Sequence, residues 1–213
     1  MKTINIELYN INELKTVNEK AYKKLIDEAK EFLINDRFYF ADEDITNILK
    51  DKYNLLVDKK NIEYSISYCQ GDGVCFTMKN ILSYTRIKNN DNLNAFEKWI
   101  IDNLNNEEKA LLLEYLNSGY NLNIIKTSYH YSPARTCTID YEYFYSSDDP
   151  IYIDRINNFI DELCKKLFDE AYIAICEYIE GVLYDYYEIE ESECVEFLTE
   201  NNYLYDRHGI QYE

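Results

Sequence analysis

Ser65-Ile66-Ser67-Tyr68-Cys69-Gln70-Gly71-Asp72-Gly73-Val74-Cys75-Phe76 is the stretch that decides the fold class. Apolar and polar residues alternate into it, Gln70-Gly71-Asp72-Gly73 interrupts them, and apolar residues resume at Val74. Alternation with period two marks a half-buried strand. A short glycine-rich turn between two such runs joins them as an antiparallel hairpin. The chain has only five glycines, and two of them fall here. Asp-Gly suits a turn with positive φ. The same loop offers Asp72 and backbone amides to a ligand, but it carries no P-loop sequence, and one Gly-x-Gly is no dinucleotide fingerprint.

Working outward, Thr3 to Leu8 alternates Ile4, Ile6 and Leu8 and reads as a short strand. Val17 to Phe38 and Asp42 to Leu56 read as helices, the second capped by Asp42 or Asp44. Ile62 to Cys69 and Val74 to Met78 are the two hairpin strands. Asn89 to Gly119 is helical, with one stripe through Phe96, Trp99, Ile100 and Leu104 and another through Ala110, Leu111, Leu113 and Leu116. Gly119 stands where a C-terminal cap belongs. Leu122 to Tyr131 and Thr136 to Tyr145 form a second strand pair, joined around Ser132-Pro133-Ala134. Ile151 to Tyr187 is one long helix, with Ile156, Ile160, Leu163, Leu167, Ala171, Ala174 and Tyr178 at three-four spacing. Ser192 to Asn201 is a short acidic helix, and Tyr203 to Tyr212 a terminal hairpin. The expected fold is α+β: an antiparallel β-sheet packed against several helices, with a long acidic C-terminal helix. With no Pro/Gly/Ser-rich linker in 213 residues, a single domain over 1–213 is expected.

Apolar content of 46% is ample for a core and excludes general disorder. Tyrosine occurs 23 times, a ring-with-polar-tip residue suited to core boundaries and contact surfaces. Net charge is −18, concentrated in the C-terminal third, where residues 141–213 hold 19 acids and four bases. A field of that sign repels nucleic acid and anionic membranes and attracts basic surfaces. No apolar run approaches the length of a membrane span. Met1-Lys2-Thr3 runs straight into strand-like sequence, so no leader is expected and a cytoplasmic location is. The six cysteines form no C-x-x-C pair, which points away from zinc and thioredoxin-type sites and toward reduced thiols. Cys69 and Cys75 flank the turn closely enough that a disulfide is conceivable.

No complete catalytic constellation is visible, and neither a cofactor nor a metal is expected. His130 and His208 have no further ligands at metal spacing. Gln70, Asp72, His130 and Arg135 would make a small polar pocket if the two hairpins share a sheet. The stronger lead lies between Glu177 and Glu200, where nine acids occur without a Lys or Arg. Glu177, Glu180, Asp185, Glu188, Glu190, Glu191 and Glu193, with Tyr184 and Tyr187 interleaved, could imitate a phosphate backbone to a basic groove. A plain solvated face is the simpler reading of such a run.

Ser65 to Phe76 also resembles a strand–turn–strand signature of small phage and prophage proteins, built from an aromatic, Gln-Gly-Asp-Gly, small or apolar residues and Phe. The flanks are similar: a helix before it (Asp42 to Leu56), a strand with Tyr129-His130 after it, a long acidic helix, and an acidic helix leading to a Gly turn (Glu193 to Gly209). Cys69 departs from the Ser or His common before the Gln, and Cys75 from a position that is often small. The family is often labelled the antitoxin of a toxin–antitoxin system, and no catalytic residue carries over from it. The resemblance implies a phage or mobile-element origin.

The expected function is therefore a phage- or prophage-encoded, non-enzymatic inhibitor of a host defence system, of anti-CRISPR or anti-restriction type. Its partner would be a host protein with a basic nucleic-acid-binding surface, such as a CRISPR effector or restriction enzyme, with no direct nucleic-acid or membrane binding. Self-association as a homodimer is compatible with the sequence. The alternatives are an antitoxin bound to its toxin, or a small ligand-binding protein or enzyme using the Gln70–Gly73 turn.

Overall fold

The computed structural model describes residues 6–67, 71–127 and 132–212. In chain order its elements are α1 (Ile11–Val17), α2 (Glu19–Tyr39), α3 (Ala41–Tyr53), β1 (Ile62–Ser65), β2 (Gly73–Phe76), α4 (Tyr84–Asn89), α5 (Ala95–Asn103) and α6 (Asn106–Asn117). Next come β3 (Leu122–Lys126), β4 (Cys137–Tyr141), α7 (Pro150–Leu167), α8 (Ile173–Tyr184), α9 (Glu191–Glu200), β5 (Leu204–Tyr205) and β6 (Gln211–Tyr212). The class is α+β, with small antiparallel two-stranded sheets among many helices. By internal packing the chain divides into two compact units, Met1–Ala41 with Tyr184–Glu213, and Asp42–Leu183.

In the first unit, α1, α2, α9 and the β5–β6 hairpin enclose Ile11, Leu14, Tyr22, Leu25, Ala29, Ile189, Cys194, Leu198 and Tyr205. Ala21, Leu25 and Ala29 recur every four residues, so they share one face of α2. Phe32 of α2 stacks on Phe197 of α9 at 5.0 Å. Ile6 and Leu8 are exposed, not in the strand that their alternation suggests. Pairing begins only at Tyr9, which exchanges two backbone hydrogen bonds with Tyr205. Gly209 has φ +79 in the hairpin turn, and an added Cβ would lie 3.4 Å from that of Ala21.

In the second unit the β1–β2 hairpin pairs Ile62 with Phe76 and Ser65 with Gly73, as the sequence suggests. β3 and β4 pair from Leu122↔Tyr141 to Lys126↔Cys137. The chain leaving β2 runs beside β3, where Met78 and Ile124 exchange hydrogen bonds of 3.1 and 2.7 Å. The second strand ends at Phe76 and the fourth at Tyr141, short of the Met78 and Tyr145 that alternation suggests. Phe76, Phe96, Ile100, Leu112, Tyr115, Leu122, Phe144, Ile156, Ile160, Leu167, Ile179 and Leu183 are buried here.

The long helix expected from Ile151 runs from Pro150 through Tyr187, but it is not uniform. Phe168–Tyr172 forms a π-helical turn between α7 and α8, and Asp185–Tyr187 tightens into a 3-10 turn. A π turn holds one residue more than the α-helix around it. It brings Tyr172 inward, where its hydroxyl accepts from the Phe76 amide and donates to the Phe76 carbonyl, both at 3.1 Å. One side chain therefore serves both backbone groups of a buried strand residue.

Asparagine punctuates this glycine-poor chain. Asn54, Asn80, Asn90, Asn92 and Asn202 all adopt left-handed backbone, with φ from 50 to 55°. Asparagine tolerates that region because its short amide bonds locally. Asn10, Asn94 and Asn105 each close a capping box with Glu13, Glu97 and Glu108. This splits the helical region expected over Asn89 to Gly119 into separate helices, α5 and α6, with α4 ending where it begins.

Candidate functional site

The acids of the tail divide by use. In the first unit, Glu191 accepts from the Tyr22 hydroxyl at 2.5 Å and from Lys15 at 2.9 Å. Those partners, Tyr22 first, hold its carboxyl below the usual carboxylate range. Glu193 receives Arg37 at 2.7 Å and also accepts from the Glu190 amide, closing the capping box of α9. Glu191 and Glu193 are therefore building elements of this unit as well as charges. Glu188, Glu190, Glu196 and Glu200 are exposed, as is Asp185, and no Lys or Arg among the described residues pairs with their side chains. Tyr187 is half-buried with its ring 5.2 Å from Phe38, and Tyr184 is half-buried too. The aromatic component of this stretch is thus partly spent on packing.

Glu177 and Glu180 belong to the second unit. Glu177 is exposed, whereas Glu180 is half-buried. Burial, then the charges of Asp72 and Glu177, push the Glu180 carboxyl above its ordinary range. Asp72 is 8% exposed and accepts from the Ser67 hydroxyl at 3.0 Å. The fold thus sets side by side two acids that the sequence assigns to different sites, one in the glycine turn and one in the tail helix.

The glycine that opens β2 is locked in place. Gly73 has φ +144, and a Cβ there would lie 2.9 Å from Cδ of Pro133 and 3.4 Å from Glu180 Oε2. Glycine is required both by backbone conformation and by this close approach. Arg135 is exposed on the 3-10 turn Pro133–Thr136, which packs on that glycine. Gln70 and His130, the other two residues of the proposed pocket, lie outside the described residues, as do Cys69 and Tyr129. His208 is exposed in the terminal hairpin, where it accepts from Arg207 Nε at 3.1 Å.

Sequence reasoning did not anticipate a buried thiol cluster. Cys75 and Cys137 are free thiols, and each lies 4.0 Å from the Thr136 hydroxyl. Cys137 also contacts the Phe76 carbonyl at 3.9 Å. Hydrogen bonds from Cys75, and then from Tyr172 and Thr136, pull the Cys137 thiol down against the effect of burial, while Cys75 is pushed up. The signal was present in the sequence: both cysteines occupy inward positions of strands in neighbouring hairpins. The thiols fill the buried space between two hairpins, so the cluster reads as packing.

A cleft of about 240 Å³ beside β4 is lined by Tyr141, Asp161, Cys164, Lys165 and Phe168, with Tyr141 donating to Asp161 at 3.0 Å. It falls below the roughly 300 Å³ at which small-molecule sites begin. Among the described residues no three His, Cys, Asp or Glu side chains are placed to hold a metal ion, and no helix is long and apolar enough to cross a membrane. Family models, curated proteins and solved structures were each searched, and none matches this chain.

Proposed function

We propose that this chain is a non-enzymatic binding protein whose acidic tail engages a basic, nucleic-acid-binding surface of a host protein. In its concrete form it is a phage- or prophage-encoded inhibitor of a defence system, acting in the bacterial cytoplasm. One observation carries the reading: Glu188, Glu196 and Glu200 project from the first unit with no Lys or Arg partner among the described residues, while neighbouring acids are neutralised within the fold. Unneutralised carboxylates at close spacing attract a cationic groove and compete with phosphates for it.

The test is affinity capture from a bacterial host, with partners identified by mass spectrometry. Glu188→Lys, Glu196→Lys and Glu200→Lys together should abolish capture of a basic nucleic-acid-binding protein and leave the melting temperature unchanged. Glu191 and Glu193 are left intact because their reversal would break ties to Lys15 and Arg37. Capture that survives the triple variant, or that ignores added salt, overturns the reading. An antitoxin belongs to the same class with a different target, and rescue of growth on co-expression with an adjacent gene product would select it.

A further inference from the structure

Residues 142–145 continue from β4 without pairing to another strand among the described residues, yet side chains hold their backbone in place. The Tyr115 hydroxyl donates to the Glu142 carbonyl at 2.8 Å. Asn157 of α7 accepts from the Phe144 amide at 2.7 Å and donates to its carbonyl at 3.2 Å. The Tyr145 amide donates to the Tyr120 hydroxyl at 3.1 Å. Phe144 is fully buried against Tyr120 and Tyr152.

This anchoring presents the alternate side chains to water. Tyr143 is 57% exposed and Tyr145 70%, with half-exposed Tyr141 completing the row. Successive ring centroids are 5.8 and 6.4 Å apart. Alternate side chains of an extended peptide repeat at about 6.6 Å, nearly the same interval. Asp140, Glu142, Asp148 and Asp149 are exposed acids of the same segment, and residues 140–149 contain no Lys or Arg. Lys165, at the Tyr141 end of the row, is bound to Asp161.

We infer that Tyr141, Tyr143 and Tyr145 form a docking face for an extended peptide segment carrying arginine at alternate positions. Guanidinium groups stack on tyrosine faces, and the acidic, base-free segment 140–149 favours a cationic occupant while repelling nucleic acid. Tyrosines on a fixed backbone supply contact area with little ordering cost. This face lies in the second unit and does not depend on the tail acids.

The experiment measures anisotropy of a labelled Arg-Ser-Arg-Ser-Arg-Ser peptide with the full chain, at about 0.15 M salt. The probe is compared with Arg-Arg-Arg-Ser-Ser-Ser, which has the same charge but the wrong spacing. Binding of the alternating peptide should weaken about tenfold or more in Tyr143→Ala/Tyr145→Ala, as for a hot-spot pair. The melting temperature should hold, since both rings are exposed. The contiguous peptide should bind several-fold more weakly, and the tail variant of Glu188, Glu196 and Glu200 should bind the alternating peptide as the parent does. Equal affinity of parent and double variant, or of the two peptides, overturns the proposal. So does self-association that the double variant abolishes in the absence of peptide binding, because the occupant is then a second copy.

Discussion

Tyr172 in the second unit and Tyr205 in the first are both shielded from water, at 0% and 1% exposure, but their hydroxyls fare differently. That of Tyr172 is bonded to the amide and the carbonyl of Phe76. That of Tyr205 is buried with no hydrogen-bond partner among the described residues. The contrast extends to charge. The second unit buries a whole carboxylate, Glu97, and meets it with the Arg86 guanidinium at 2.7 Å and the amides of Ser83 and Asn94. The first unit keeps its ion pairs, Lys15–Glu191 and Arg37–Glu193, at the surface. A buried polar group stabilises only when its bonds are complete, and left incomplete it costs its full desolvation. The second unit is therefore the one that specific polar contacts hold in a single arrangement.

The largest break in this contrast is Arg86→Met. It strands Glu97 without its counter-ion and should cost about 3 kcal/mol in urea unfolding of the second unit. Adding Glu97→Gln should recover part of that loss, since a neutral side chain in the same place needs no counter-ion. Next comes Tyr172→Phe, which leaves the Phe76 amide unsatisfied and should cost roughly 1–2 kcal/mol in the same measurement. Tyr205→Phe should have the opposite sign. It removes an orphaned hydroxyl and keeps the ring, so the first unit should gain up to about 1 kcal/mol, read as a raised melting temperature. A loss on Tyr205→Phe would mean that the two cores are not distinguished in this way.

The smallest effect concerns pH. The Glu191 carboxyl is held below its ordinary value by Tyr22 and Lys15, so this tie is complete above the unfolded-state pKa. It is lost as pH falls through the lowered folded-state value. Lys15→Ala should therefore reduce the acid-side loss of stability of the first unit and leave that of the second unchanged, as tracked by thermal melts across the acid range.

Much of the fold was legible because it rests on hydrophobic period. The stretch from Val17 to Phe38 announced α2, and the Ile156–Leu167 series announced α7. The Gln70–Gly73 turn announced a hairpin that pairs from Ile62 to Ser65. What escaped was signalled by asparagine. Gly and Pro are the usual punctuation, whereas here Asn54, Asn90 and Asn92 take the left-handed backbone and Asn94 and Asn105 start helices. In a chain rich in asparagine such marks are hard to tell from ordinary surface residues. Helix α1 escaped too, since its two buried residues, Ile11 and Leu14, are too few to establish a period. The candidate site was legible in charge but not in contact. Composition reveals that the tail is acidic, but only packing reveals that Lys15 and Arg37 return from far up the chain to neutralise Glu191 and Glu193. Packing likewise placed Asp72 against Glu180.

The π turn at Phe168–Tyr172 acts as an index mark for the whole of α8. Were the same residues wound as plain α-helix, without the wider turn that absorbs the extra residue, everything beyond would rotate by about 100° and advance by about 1.5 Å. Ile173 and Cys176, now buried, would swing toward water, and Tyr178 toward the core. Which side chains of α8 face water is therefore written a turn upstream of them, by a single residue of helix phase.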